Sequence, residues 1–209
     1  MKIILLANDE QREELTAQQP KPEAELVWLT DLSSLKDVAA ADACIDLLFV
    51  ETAEHLDQLK RLQTSFLIIN SISKPSTEWL RNCVRINGWN TFLKRSVIEA
   101  TGPQELQQKT GEIFSLFNKQ VDWVADITGF VSLRVIACII NEAYFALDEK
   151  VSTKEEIDTA MKLGTNYPYG PFEWSEKIGI KNICGLLEQL STEKERYTPS
   201  ALLKKEAAL

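Results

Sequence analysis

The first 126 residues alternate short apolar runs with polar segments of helical period, and this alternation restricts that part of the chain to a layered α/β fold. The apolar runs predict strands at residues 2–7, 25–29, 44–50, 65–70, 84–87, 94–99 and 121–126. The polar segments predict helices at residues 9–18, 33–39, 53–62, 76–82 and 103–119. Because several strands are apolar almost throughout, we expect a sheet that is covered on both faces.

After residue 126 the strand pattern gives way to helices, which predicts two domains, 1–126 and 127–209. The first helix of the second domain is predicted at residues 130–148. It is apolar on most sides, so we expect other helices to cover more than one of its faces.

Turn and cap signals place the remaining helices. The capping-box pattern from Ser152 to Glu155 predicts the start of the next helix, and Gly164 predicts its end. Pro171 predicts the start of a short helix that runs to residue 177. Two more helices are predicted at residues 181–193 and 200–208.

The charge and hydropathy of the chain exclude two classes of partner. A formal net charge of -8 at pH 7, with no basic stripe interleaved with aromatic residues, argues against nucleic acid. Beyond the N-terminal strand, the longest apolar stretch covers residues 135–140, far short of the roughly 20 residues that span a bilayer. We therefore expect no membrane association and a soluble, cytoplasmic protein.

Cysteine and histidine are sparse. The four cysteines are scattered without a CxxC pair, which favours reduced thiols over disulfides or a metal site. His55 is the only histidine, and it lies at a polar helix start flanked by acids. This position favours a solvent-facing or capping role over catalysis.

A series of ordered motifs runs from Gly129 to Lys205. They comprise residues 129–131, 134, 141–143, 155–158, 160–164, 166–173, 178–179, 196–197 and 199–205. In this order they resemble the 3-hydroxyacyl-CoA dehydrogenase family. The resemblance implies a Rossmann-like N-terminal domain, an all-α C-terminal domain, and NAD-dependent oxidation of the 3-hydroxyl group of an acyl-CoA.

The first strand does not lead into the glycine-rich turn that a dinucleotide needs. Residues 7–12 read Ala-Asn-Asp-Glu-Gln-Arg, and the first glycine is Gly88. Asp9 and Glu10 also place two negative charges where a diphosphate would lie. We therefore expect no NAD at this turn and no other cofactor. Asp31 lies where such folds often hold a ribose hydroxyl, but without the glycines it is better interpreted as a helix cap.

The resemblance also locates the family's catalytic groups, and most are changed. The family's histidine base corresponds to Asn90, whose amide is not basic near neutral pH. The carboxylate that orients the base corresponds to Glu99, at a shorter spacing than in the family. The family's serine falls at Ser71 or Ser73, and its asparagine corresponds to the apolar Leu133. No intact catalytic set is expected.

The turn at residues 166–173 is the most specific stretch of the chain. Its distinctive residues are Asn166, Pro168, Tyr169, Gly170, Pro171 and Phe172. The prolines and the glycine fix the backbone, while the aromatic rings supply surface. We interpret the turn first as a connector that locks two helices together. The resemblance offers contact with a substrate or with a dimer partner as the alternative.

Three functions remain open from the sequence. The first is a catalytically impaired relative of the dehydrogenases, retained for homodimerisation through the helical domain or for binding an acyl-CoA or a protein partner. The alternative is an active NAD-dependent dehydrogenase of 3-hydroxyacyl-CoA or a related hydroxy acid. The third is a helical dimerisation module with an unrelated partner.

Overall fold

The computed structural model describes residues 1–38, 40–62, 64, 66–74 and 83–209. It divides into two compact units, Met1–Phe130 and Val131–Leu209. The predicted α/β first part and helical second part are confirmed. The helix predicted at residues 76–82 lies outside the described residues.

Among the described residues, the first unit contains a seven-stranded sheet. In chain order its strands are β1 (Lys2–Leu6), β2 (Glu25–Leu29), β3 (Ala43–Asp46), β4 (Leu67–Asn70), β5 (Val84–Ile86), β6 (Val97–Thr101) and β7 (Gln120–Trp123). The spatial order is β2-β1-β3-β4-β5-β6-β7. Neighbouring strands are parallel except for the β5–β6 pair. The carboxyl ends of β1 to β5 therefore share one edge of the sheet.

Helices cover both faces of this sheet. They are α1 (Asp9–Leu15), a 3-10 helix (Leu32–Asp37), α2 (Ala53–Arg61) and α3 (Gln104–Ser115). Alternate residues of β1 point to opposite sides: Ile3 packs in one cluster with Phe114 of α3, and Ile4 packs in another with Leu59 of α2. All four side chains are buried. The prediction of a sheet covered on both faces is confirmed.

The second unit is helical. It contains α4 (Ser132–Asp148), α5 (Lys154–Thr165), α6 (Pro171–Ile178), α7 (Ile180–Ser191), a 3-10 helix (Glu195–Tyr197) and α8 (Ala201–Ala207). Helix α4 contacts α6, α7 and α8. Its buried Asn141 binds the last connection of the unit, since its amide donates to Thr198 O and its oxygen accepts from Ser200 N.

Several element boundaries differ from the predictions. The third strand ends at Asp46 instead of residue 50, because the Asp46 carboxylate accepts from Leu48 N at 3.0 Å and turns the chain. The strand predicted at 94–99 lies at Val97–Thr101. The helix predicted at 33–39 is a 3-10 helix, Leu32–Asp37.

The cap signals of α5 were each misplaced by one or two residues. Thr153, not Ser152, is the N-cap, and its reciprocal partner is Glu156. The helix passes through Gly164 and ends at Thr165, because Asn166 takes the left-handed conformation with φ of 57° and donates its N–H to Lys162 O. A neighbouring asparagine therefore supplies the C-cap that was assigned to glycine.

None of the helices in the described parts of the chain is long and apolar enough to cross a membrane. All four cysteines are free thiols: Cys44, Cys83 and Cys184 are buried, and Cys138 is half-buried. Within the described ranges, no group of three or more metal-ligating side chains is found.

Candidate functional site

In an open parallel sheet, ligands bind at the carboxyl edge where the strand order reverses. Here the order reverses between β1 and β3, because β2 lies on one side of β1 and β3 on the other. The residues that follow these two strands, Asn8–Gln11 and Leu47, are therefore the place to test for a nucleotide site.

The amino end of α1 is capped by its own residues. Asn8 Oδ1 accepts from Gln11 N at 2.8 Å, and Gln11 Oε1 accepts from Asn8 N at 3.1 Å, which completes a capping box. A dinucleotide site needs free backbone N–H groups at this position, together with glycines that let the pyrophosphate approach. The backbone N–H groups of Asn8 and Gln11 are already hydrogen-bonded, and neither residue is a glycine.

The Gln11 side chain also bridges the reversal point. Its amide nitrogen donates to Leu47 O at 2.9 Å, and the same carbonyl accepts from Asn70 Nδ2 at 3.1 Å. Asn70 Oδ1 in turn accepts from Gly88 N at 3.0 Å. We call this chain of contacts, from Asn8 through Gln11, Leu47 and Asn70 to Gly88, the edge network. It joins the ends of β1, β3, β4 and β5.

Two carboxylates of α1 hold the loop that follows β5. Glu10 Oε2 accepts from Asn90 Nδ2 at 2.7 Å. Both oxygens of Glu14 accept from Thr91 N, at 2.8 and 2.9 Å. Burial raises the pKa of the Glu14 carboxyl above its ordinary value, and the hydrogen bond from Thr91 opposes that rise. Asn90 thus serves as a hydrogen-bond donor that fixes a loop.

Glu99 and Ser71 have other partners. Glu99 Oε2 accepts from Asn87 Nδ2 at 3.3 Å, on the neighbouring strand end. The Ser71 hydroxyl donates to Ser73 O at 2.9 Å. The carbonyls of both serines accept from the buried Arg85 guanidinium, at 2.7 and 2.8 Å. The serine turn is therefore held by strand β5, and its described contacts are structural.

Two comparisons identify the helical unit and its relatives. Residues 129–208 match the model of the 3-hydroxyacyl-CoA dehydrogenase C-terminal domain. The 3-hydroxyadipyl-CoA dehydrogenase of Escherichia coli is 41% identical over 112 residues, covering 53% of this chain and 24% of that protein. The chain belongs to the 3-hydroxyacyl-CoA dehydrogenase family.

Another member of the dehydrogenase family extends the match toward the N-terminus. The 3-hydroxybutyryl-CoA dehydrogenase of Clostridioides difficile is 32% identical over 155 residues, covering 71% of this chain and 55% of that protein. The chain thus spans about a quarter of the length of the first relative and little more than half of the second.

One solved structure supports the fold class of the chain. M. tuberculosis FadB2 superposes with a TM-score of 0.76 at 17% identity, covering 99% of this chain and 93% of that one. This likeness confirms the fold class, a Rossmann-like domain followed by the helical domain of the 3-hydroxyacyl-CoA dehydrogenases.

The predicted counterparts of the dehydrogenase catalytic groups have described partners or are buried. Asn90 binds Glu10, Glu99 binds Asn87, and Leu133 is fully buried in α4. Asp31 is the N-cap of the first 3-10 helix, where its carboxylate accepts from the backbone N–H of Ser34 at 3.1 Å. Its hydrogen bonds to Ser33 and Ser34 lower the pKa of Asp31.

The 166–173 turn, the family's most specific motif here, is held by a buried carboxylate. Asp158 of α5 accepts from Phe172 N at 2.8 Å and from Glu173 N at 3.1 Å, so it caps α6 from outside the helix. Burial raises the pKa of Asp158, and these two hydrogen bonds oppose the rise. Gly170, Pro171 and Phe172 are buried, as a connector requires.

The other residues of the turn that were named from the sequence reach the surface. Asn166 and Pro168 are exposed, and Tyr169 is half-buried. The Tyr169 ring lies edge-on to Trp174, and the Lys177 ammonium lies 5.1 Å from the centre of the Tyr169 ring. Contact with a substrate or a dimer partner stays a prediction for all six named residues of the turn.

The role predicted for His55 was wrong. Thr52 is the helix cap, and His55 is only 5% exposed. Its Nε2 lies 2.5 Å from Oδ2 of the fully buried Asp46 at the end of β3, and its Nδ1 lies 3.4 Å from Val50 N. The residues that flank His55 gave no sign of this pairing, because the partner stands nine residues earlier in the chain.

A cavity of about 560 Å³ lies within the helical unit, and sequence reasoning missed it. Tyr144, Lys154, Phe172 and Glu206 are among the residues that line it. Lys154 Nζ binds the Glu206 carboxylate at 2.7 Å and lies over the rings of Tyr144 and Phe172. Its lining residues come from five helices, so no local sequence pattern could have revealed it.

Proposed function

We propose that this chain is a 3-hydroxyacyl-CoA dehydrogenase relative with impaired hydride transfer, retained as a homodimeric protein that binds an acyl-CoA or a protein partner. The observation that carries the proposal is the edge network. A doubly wound sheet holds its dinucleotide at the point where the strand order reverses. Here that point is filled by Asn8, Gln11 and Leu47.

Electrostatics at the same edge support the proposal. A diphosphate beside the first turn of α1 would meet the carboxylates of Asp9 and Glu10 within a single helical turn. Negative charges at a helix amino end favour the helix but oppose a bound anion. This turn therefore offers no site for the diphosphate of NAD in our proposal.

The substituted base supports the proposal independently. Oxidation of a 3-hydroxyl group requires a group that accepts the hydroxyl proton, with a pKa near the working pH. The Asn90 amide is a donor to Glu10 and has no basic nitrogen. The apolar Leu133 likewise offers no hydrogen bond to a substrate oxygen.

The helical unit, by contrast, keeps features that suit binding. Its Asp158 and Asn141 hydrogen bonds fix the family-specific segments, and it contains the Lys154 cavity. The apolar chain of a thioester would meet the aromatic walls of Tyr144 and Phe172 there. Retention of this unit motivates the acyl-CoA and partner-binding role.

The test is a fluorescence titration of NADH into concentrated protein, followed by a calorimetric titration with acetoacetyl-CoA. We expect no saturable NADH binding, and the proposal allows saturable binding of the thioester. Saturable NADH binding that tightens in the presence of acetoacetyl-CoA would favour the active dehydrogenase and overturn the proposal. Binding of neither ligand by a protein that is also monomeric in sedimentation velocity would overturn the acyl-CoA and homodimer roles.

A further inference from the structure

The cavity of the helical unit has a buried polar atom in its wall that the chain leaves unsatisfied. Ser175 of α6 lines the cavity and is only 2% exposed. Its Oγ has no hydrogen-bond partner among the described residues. A buried hydroxyl without a partner costs folding free energy. Its place in a cavity wall is therefore evidence for a ligand that supplies the missing hydrogen bond.

The neighbouring polar groups of the wall are engaged with one another. Lys154 Nζ donates to both oxygens of Glu206, at 2.7 and 3.0 Å. The Tyr144 hydroxyl donates to Glu206 Oε2 at 3.0 Å. Burial raises the pKa of this hydroxyl, so it stays uncharged. These contacts leave the hydroxyl hydrogen of Ser175 available to a ligand.

The amino end of α7 borders the same cavity. Gly179 and Ile180, where this helix begins, both line it. Gly179 is the N-cap, and with φ of 95° and no side chain it makes no capping hydrogen bond. The first backbone N–H groups of a helix have no partner within the helix and carry partial positive charge. This helix end and Ser175 together favour an oxygen atom that accepts hydrogen bonds.

The charges of the wall decide which kind of oxygen fits. Lys154 is paired with Glu206, so these two charges offset each other. Glu176 also lines the cavity and leaves a net negative charge there. A carboxylate ligand would be repelled by this charge, whereas the carbonyl oxygen of a ketone, an amide or a thioester would not. The wall therefore favours an uncharged carbonyl group.

The rest of the wall suits an apolar chain. The rings of Tyr144 and Phe172 meet edge to face with their centres 5.0 Å apart, and Ile180 adds an aliphatic surface. The volume of about 560 Å³ lies within the range of small-molecule sites. Burial of a short chain against these groups supplies affinity, and the polar groups fix its orientation.

We propose that this cavity binds a small uncharged acyl compound, a thioester or an amide. The carbonyl oxygen accepts from Ser175 Oγ beside the amino end of α7, and the acyl chain packs against Tyr144 and Phe172. The inference rests on the acyl-CoA role proposed above and gives that role a site and a selectivity. Acyl chains with an apolar end bind, and chains that end in a carboxylate are excluded. Recognition of this kind needs neither the nucleotide of CoA nor NAD.

The first test is a calorimetric titration of the full chain with S-butanoyl-N-acetylcysteamine, an uncharged thioester that lacks a nucleotide. We expect saturable binding. In isotope-labelled protein the backbone amide resonances of Gly179 and Ile180 should shift as the thioester binds, because both residues line the cavity. Absence of saturation, or saturation without shifts at these two residues, would overturn the proposal.

The second test removes the hydroxyl. Ser175→Ala should raise the dissociation constant of this thioester about three- to tenfold, since it removes one hydrogen bond to the ligand. The variant should resist urea at least as well as the parent, because an unsatisfied buried hydroxyl is lost. Ser191→Ala is the matched control on α7, where the Ser191 hydroxyl donates to Glu188 O. Equal dissociation constants for the two variants, or a Ser175→Ala variant that unfolds more easily, would contradict the role of Ser175.

The third test measures the selectivity for uncharged chains. S-succinyl-N-acetylcysteamine has the same number of acyl carbons as the butanoyl compound but ends in a carboxylate, so it should bind at least about tenfold more weakly. Glu176→Gln should narrow this difference, and Glu188→Gln, which removes a carboxylate paired with Lys204, should not. Equal binding of the two thioesters, or an unchanged ratio in Glu176→Gln, would contradict the charge argument.

Failure of this site and failure of the proposed function give different results. Acetoacetyl-CoA that binds equally to the parent and to Ser175→Ala, with no binding of the truncated thioester, would refute the cavity site and leave the acyl-CoA role intact. Absence of binding by acetoacetyl-CoA as well would refute both. Circular dichroism checks that each variant folds.

Discussion

The Asp158 carboxylate occupies the space into which a side chain at Gly170 would project: a Cβ atom built on Gly170 would clash with Asp158 Oδ1. The backbone of Gly170 has an ordinary φ of -76°, so the requirement for glycine is purely steric. The same carboxylate caps α6 through Phe172 N. The family-specific turn is thus built around a close contact between a glycine and a buried acid.

Gly170→Ala should lower the free energy of unfolding by about 2–3 kcal/mol, because the methyl group displaces the Asp158 carboxylate from its two hydrogen bonds. Gly164→Ala is the matched control. A Cβ at Gly164 meets nothing within 4 Å, and alanine in a helix interior gains about 0.5–1 kcal/mol over glycine. Urea unfolding followed by circular dichroism measures both. Similar changes for the two variants would show that the close contact is unimportant.

Gln11→Ala should cost about 1–2 kcal/mol, since it removes half of the capping box and a buried hydrogen bond to Leu47 O. Glu13→Ala, at an exposed position of the same helix, should stay within about 0.5 kcal/mol of the parent. Thermal unfolding compares the two variants. If Gln11→Ala were as stable as Glu13→Ala, the edge network would not hold this edge of the sheet.

His55→Leu should destabilise the protein by about 3–5 kcal/mol, because it leaves the Asp46 carboxylate buried without its partner. Adding Asp46→Asn should recover part of that loss, since a neutral amide is less costly to bury than an unpaired charge. Urea unfolding of the single and double variants gives the coupling. Additive losses from the two substitutions would mean that the pair does not interact.

Lys119 should make the stability rise with pH above neutrality. Burial lowers the pKa of its ammonium in the folded protein to about 8, from 10.5. Between these two values the unfolded chain binds more protons than the folded one, so the free energy of unfolding increases as pH rises from about 8 toward 10.5. In Lys119→Met this increase should be reduced. Urea unfolding across that pH range measures it, and parallel pH profiles for both proteins would contradict the assignment.

Asn90→His should not by itself create a dehydrogenase. The substitution supplies a basic nitrogen but leaves the edge network and the acidic first turn of α1 unchanged. We expect no consumption of NADH with acetoacetyl-CoA above the protein-free rate, followed by absorbance. Turnover in this variant would mean that the lost base alone limits the chemistry, and that NADH binds despite the first turn.

Local patterns in the sequence predicted the layered first part, the helical second part and most of the strands. The errors arose where hydrogen bonds of individual side chains decide the outcome. Asp46 ends β3 early through its own side chain and pairs with His55. Neither contact could be predicted, because the apolar run around Asp46 indicated an uninterrupted strand.

The candidate site was predicted in part. The absence of glycines between Ala7 and Arg12 was visible in the sequence, and so was the asparagine at position 90. The hydrogen bonds that fill this edge of the sheet could not be predicted. Gln11 and Asn70 both donate to Leu47 O, which lies 36 residues from Gln11 and 23 residues from Asn70. Side-chain bonds to remote backbone groups leave no periodic signal.

Impaired hydride transfer is the central proposal for this member of the dehydrogenase family. Its most direct test is a single-turnover experiment with the full chain in excess over NADH and with saturating acetoacetyl-CoA. Each turnover would convert NADH, a proton and acetoacetyl-CoA into NAD and 3-hydroxybutyryl-CoA. Our account predicts that NADH absorbance stays at the protein-free baseline. Loss of NADH at a rate that rises with protein concentration, matched by 3-hydroxybutyryl-CoA formed in equal amount, would contradict it.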